Sequence, residues 1–194
     1  MTCLRQWPAA LLCAALGTAP ITAIAAAAPG PAEPPKIMIG IELGSRFTIP
    51  PCARGEETLT KRHCYVAAQS TKTPWGAEAH HVYYPSAAPI PYARGELVVD
   101  VLNGIIEAIY VNTWGIEGQY SALEMLTRKY GSPTRERREK MKSQRARLPV
   151  VYAEWDLADF SAKLDGITST FDWGRITLAT NRYRKLIAAH TPAR

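Results

Sequence analysis

His80 and His81, adjacent in the chain, are the residues whose type best suits proton transfer, and Glu154 or Asp156 could complete an acid/base pair if the fold brought them together. Glu78, His80 and His81 superficially resemble a metal cluster. Neighbours on an extended chain point to opposite sides, however, so this spacing predicts no metal site, and nothing else predicts a cofactor. The chain contains no G-x-S-x-G, H-E-x-x-H, S-x-x-K or C-x-x-C motif and no glycine-rich phosphate loop. Its chemistry-bearing residues therefore point to binding more than to catalysis.

Two thiols, Cys52 and Cys64, remain once the N-terminal segment is set aside. They enclose a polar loop, and their spacing is that of a structural disulfide rather than of a redox pair. The expectation of an oxidising compartment comes from residues 1–27. Arg5 precedes an apolar run from Ala9 to Ala28, and Ala23-Ile24-Ala25 and Ala25-Ala26-Ala27 fit signal-peptidase sites. Gly17, Thr18, Pro20 and Thr22 interrupt the run too often for a membrane span, and Leu12 is a poor neighbour for a lipid anchor on Cys13. The reading is a cleaved signal peptide, export to a Gram-negative type periplasm or otherwise secretion, and no transmembrane helix afterwards.

The second pointer is charge. Residues 28–194 carry 22 basic and 17 acidic side chains, yet residues 128–147 hold nine cations (Arg128, Lys129, Arg135, Arg137, Arg138, Lys140, Lys142, Arg145, Arg147) against Glu136 and Glu139. This stretch lacks an apolar stripe, so it is expected to project into solvent, whether helical or irregular. Arg135, Arg137, Arg138, Lys140 and Lys142 are the candidate contacts for an anionic partner: a lipid headgroup, a lipopolysaccharide phosphate or an acidic protein surface. Export argues against nucleic acid. The competing reading is a solvated loop that aids solubility.

A third candidate is residues 73–94, a proline-rich connection bearing Trp75, His80, His81, Tyr83, Tyr84 and Tyr92, which would suit a peptide or sugar. Alternatively, His80, Val82 and Tyr84 form one face of a short strand and simply pack.

These residues need a scaffold, and the sequence marks one from residue 36 onward, after a stiff proline-rich leader at 28–35. Residues 36–43 alternate as a strand with Ile37, Ile39, Ile41 and Leu43 on one face. Residues 96–113 read as a hairpin about Asn103-Gly104, with Leu97, Val99, Val101, Ile106, Ala108 and Tyr110 as its core face and Asp100 opposite Glu107. Residues 117–130 space Tyr120, Leu123, Leu126 and Tyr130 along an amphipathic helix that Gly131 and Pro133 stop. Strands are expected at 150–157, 160–164 and 175–180, a turn at Asp165-Gly166 and a short helix at 182–190. The whole predicts a single α+β domain: a small antiparallel sheet of hairpins, one helix packed on it, a short C-terminal helix and one disulfide. The hairpin and helix at 96–130 are loosely echoed at 150–190, as a duplicated sheet would require.

Three functions fit: a periplasmic binding or envelope accessory protein, an inhibitor or immunity protein against an exported hydrolase, or a small hydrolase. The first is the preferred expectation.

Overall fold

The computed structural model describes residues 35–55, 61–85, 90–142 and 146–191; the expected signal peptide and most of the leader lie outside them. The chain starts with β1 (Ile37–Met38) and β2 (Ile41–Glu42), joined by Ile39 and Gly40, both at positive φ. This corrects the expected strand over 36–43. The left-handed pair folds the segment back on itself, which buries Met38, Ile41 and Leu43 and leaves Ile37 exposed.

The short strands β3 (Cys64–Tyr65) and β4 (Thr71–Lys72) both pair with β5 (Glu78–Tyr83). Cys52 is bonded to Cys64 with a Cα separation of 4.8 Å. Closing this loop stabilises the fold by about 3 kcal/mol on the chain-entropy model.

The central hairpin is β6 (Ala93–Leu102) and β7 (Ile105–Thr113). Asn103 and Gly104 take φ of 52° and 75°, as the two-residue turn requires, and Leu102 faces Ile105 and Val101 faces Ile106. The register then shifts: Asp100 pairs with Ala108, leaving Glu107 as the extra residue of a bulge. The core face therefore continues through Val99, Leu97, Ile109 and Val111. Ala108 and Tyr110, expected in that core, turn to the other face beside Asp100, and Asp100 does not oppose Glu107.

Helix α1 (Gly115–Tyr130) follows, then the hairpin of β8 (Arg135–Lys142) and β9 (Arg147–Asp156), then β10 (Phe160–Asp165), β11 (Gly174–Thr180) and α2 (Asn181–His190). The large sheet runs β3-β5-β6-β7-β11-β10-β9-β8, each neighbouring pair antiparallel, with β4 beside β5. The protein is thus mixed α+β, with two helices among the described residues.

Helix α1 covers the core face. Its buried residues are Gly115, Gly118, Gln119, Ala122 and Leu126, and Tyr120 of the expected stripe is 47% exposed. Small side chains bring the helix close to its neighbours: a Cβ on Gly115 would stand 2.0 Å from the Phe171 carbonyl oxygen. Trp155, Phe160, Leu164, Ile176 and Leu178 fill the space beneath, and the Trp155 indole N–H donates to the Gly131 carbonyl at 2.8 Å.

Helix α2 packs on the opposite face, where Tyr183 meets Ala77, Ala108 and Ala179. Strands followed by a helix do recur along the chain. The two helices nevertheless cover different faces, which is not the arrangement of a duplicated two-layer sheet. No helix among the described residues is long and apolar enough to cross a membrane.

Candidate partner-binding edge

The basic segment is not a projecting loop. Arg135–Lys142 is a strand, paired residue for residue with β9 from Arg135 opposite Glu154 to Lys142 opposite Arg147. Its sequence offers no apolar alternation, so pairing with the β-branched and aromatic β9 imposes the extended conformation.

Which way the main chain of β8 points can be read from its neighbour. Val151 gives its N–H to the Gln119 side-chain oxygen (2.9 Å) and accepts the Gly166 N–H (2.8 Å). Pro149 has no N–H, and its carbonyl accepts from the Gln119 amide at 2.9 Å. Both residues thus aim away from β8. Arg138 and Lys140, their partners in register, must turn their own N–H and C=O outward, and alternation extends this to Glu136 and Lys142. At the other side of the sheet the two-residue strands β3 and β4 lie against β5 and the disulfide pins β3. Among the described residues, β8 is the long open edge.

Most of the positive charge around this edge is compensated. Arg128 pairs with Glu124 at 2.7 Å, and Lys129 donates to the Ile37 carbonyl, where burial pushes its pKa down. Arg135 bridges Glu154 and Asp156 (2.8 and 3.1 Å), Arg137 pairs with Glu139, and Arg138 with Glu136 at 2.6 Å. Lys140, Lys142 and Arg147 make no ion pair among the described residues, and register places Lys142 opposite Arg147. Among the described residues, cations without an ion pair are therefore concentrated at the hairpin end of the strand. Arg145 falls outside the described residues.

Inward from β8, the face of the sheet turned away from α1 is polar. Arg137 lies over Tyr152 (4.6 Å), Lys163 pairs with Asp165 (2.9 Å), Arg184 of α2 with Asp156 (3.2 Å), and Arg175 lies over Tyr110 at 5.8 Å. Arg135, Arg137, Tyr152, Glu154, Lys163 and Asp165 line a groove beside the edge. Cations and carboxylates are interleaved here, so the groove itself has no strong sign. Compared with protein-family models, curated proteins and solved structures, the chain matches none.

The third candidate does not form one surface. His80 and Tyr84 are buried on the core side: the His80 ring stacks on Phe47 (4.6 Å), and the Tyr84 hydroxyl accepts the Gly95 N–H (2.9 Å). Tyr92 is half-buried against the same core. His81 approaches Glu96 (3.8 Å) and, with Tyr83, occupies the other side of β5. Trp75 donates to the Tyr183 hydroxyl beneath α2. Strand β5 takes up six residues of the proline-rich connection, and Trp75, Tyr84 and Tyr92 are used in packing.

Nor does His80 meet Glu154 or Asp156, because β6, β7, β11 and β10 separate β5 from β9. Its Nδ1 instead contacts the Ser70 hydroxyl at 2.8 Å, a pair the sequence did not suggest. Burial lowers the His80 pKa, against the opposing pull of Glu78 and Asp100, which favours the neutral ring. Phe47 on its face and Tyr65 at its edge (5.0 Å) make Ser70 a hydrogen-bond partner for a packed histidine. Among the described residues no cluster of three His, Cys, Asp or Glu could hold a metal ion.

Under α2 lies a second polar cluster. One oxygen of the buried Asp100 accepts from Tyr183 (2.7 Å) and Tyr110 (3.0 Å). Glu107, fully buried by the bulge, accepts from Thr180, the N-cap of α2, and from Arg182. Burial raises the Asp100 pKa above its ordinary 3.8, although both phenols and His80 oppose the shift. With the folded value above the unfolded one, this group's contribution is complete below about pH 3.8 and is lost as pH rises through the folded value. The unfolding free energy of the wild type, minus that of Asp100→Asn, will accordingly fall over that window and then level off. Urea titrations across pH 3 to 8 measure it; a difference that rises with pH would contradict the assignment.

Proposed function

We propose that the protein is an exported, non-enzymatic binding protein of the periplasm that engages an anionic partner, foremost an acidic protein surface, through the basic edge formed by β8. The observation that carries this reading is the exposed strand Arg135–Lys142, with outward-facing main chain and, at Lys140, Lys142 and Arg147, cations that make no ion pair among the described residues. The Cys52–Cys64 bond is consistent with an oxidising compartment. Arg135, Arg137 and Arg138 hold carboxylates of their own and fix the edge, while Lys140, Lys142 and Arg147 supply the field.

The triple variant Lys140→Gln, Lys142→Gln, Arg147→Gln should therefore bind immobilised polyglutamate about tenfold more weakly at low salt. Its binding should also depend less steeply on salt. Surface plasmon resonance over a salt series reads both. Equal affinity and equal salt slope in the two proteins would remove the basis of this reading.

A further inference from the structure

We propose that β8 receives its partner by strand addition: an extended acidic segment of another protein pairs with the outward main chain of Glu136, Arg138, Lys140 and Lys142 and becomes the next strand of the sheet. This deepens the binding reading above and rests on it.

An exposed edge strand presents unpaired N–H and C=O groups to any extended chain, and natural sheets guard such edges with charge. The charge here selects as well as guards. Two copies of β8 can pair antiparallel only through positions that both turn their main chain outward: centred on Lys140, this sets Lys140 against itself and Arg138 against Lys142, and centred on Arg138 it sets Arg138 against itself and Glu136 against Lys140. Like charges opposed across strands are destabilising, so the first register is disfavoured and the second gains its ion pairs only by taking Glu136 from Arg138. A partner strand with carboxylates at alternate positions would instead face Arg138, Lys140 and Lys142, whose side chains share one side of the sheet with Val151 and Pro149. Ionic contact would concentrate at Lys140 and Lys142, since Glu136 already holds Arg138.

A lipid surface is the poorer occupant. Met141, 38% exposed, is the one apolar side chain of the strand, which leaves little to enter a bilayer interface. Strand addition also uses a feature that a polyanion would ignore, namely the regular outward amides opposite Val151 and Pro149.

The test uses the full chain and two synthetic peptides of about ten residues that alternate threonine and glutamate, the usual span of a strand. One is unmodified, and the other is N-methylated at alternate residues, so that it keeps its charge but loses one row of donors. The unmodified peptide should bind with strong salt dependence and slow hydrogen exchange of the Arg138 and Lys140 amides about tenfold or more; the methylated peptide should bind at least about tenfold more weakly. Equal binding of both peptides, or unchanged amide exchange in the complex, would overturn strand addition while leaving the electrostatic reading intact. If the Lys140→Gln, Lys142→Gln, Arg147→Gln variant binds the unmodified peptide as well as the wild type does, the basic-edge reading itself fails. Binding to phosphatidylglycerol vesicles with none to either peptide would overturn strand addition and assign the edge to lipid.

Discussion

Gln119→Ala will lower the unfolding free energy by about 4 kcal/mol, measured by urea denaturation. Gln119 is fully buried on α1, and its amide does the work of a short strand: it donates to the Pro149 carbonyl and accepts the Val151 N–H. Truncation leaves both main-chain groups buried without a partner, at about 1–3 kcal/mol each, and adds a cavity. Gly166 belongs to the same device. A Cβ there would stand 2.5 Å from the Gln119 side-chain oxygen and 2.6 Å from the Val151 carbonyl oxygen. The consequence reaches the binding edge, because Gln119 holds the Pro149 carbonyl and the Val151 N–H on the side away from β8. In this variant the Arg138 and Lys140 amides should lose their uniform outward exposure, seen as altered exchange rates. A loss below about 1 kcal/mol would mean that water or another side chain replaces the amide.

Tyr183→Ala will be more costly still, at about 5 kcal/mol. Truncating a buried aromatic residue typically costs 3–5 kcal/mol. Here the ring packs among Ala77, Ala108 and Ala179, and its hydroxyl both donates to Asp100 and accepts from Trp75. Asp100 would be left with Tyr110 alone on that oxygen, still inside the protein. Helix α2 has one fully buried residue, so its attachment depends heavily on this side chain. Circular dichroism should show partial loss of helix before the main transition. Tyr183→Phe separates the two contributions, since it retains the ring and should lose only about 1–2 kcal/mol. A single cooperative transition with the full wild-type helical signal in the alanine variant would show that α2 is held by other contacts.

The elements most legible in the sequence were those with a local cause. Asn103-Gly104 specifies a turn through its own backbone preferences, and Cys52 and Cys64 can bond only with each other among the cysteines that follow the N-terminal segment. The bulge at Glu107 had no such signal. It inverts the faces of Ala108 and Tyr110 because Ile109 and Val111 offer more apolar area to the core under α1, a competition settled by tertiary packing. Strand β8 was hidden for the opposite reason. Periodicity detects burial, and a strand polar on both sides has none, so R-E-R-R-E-K-M-K looks unstructured until its partner β9 is considered. Gln119 gave no warning either, since a glutamine in a helix usually faces water. The missed signal was its neighbourhood of Gly115, Gly118 and Ala122, small residues that mark a helix face pressed close to other backbone.

The position of β11 at the middle of the sheet also bears on how the chain acquires its structure. It lies between β7 and β10, and Gly174 pairs with Thr113, about sixty residues earlier. During synthesis β7 therefore emerges well before its neighbour, with one edge unpaired and Ile109 and Val111 uncovered. Such separated pairings close slowly, and exposed edges invite misassociation meanwhile. The hairpins β6-β7 and β8-β9 can each form early, but they remain two unjoined pieces until β11 inserts between them. Folding should accordingly be late and cooperative, with the sheet completed only when β11 enters between the two pieces.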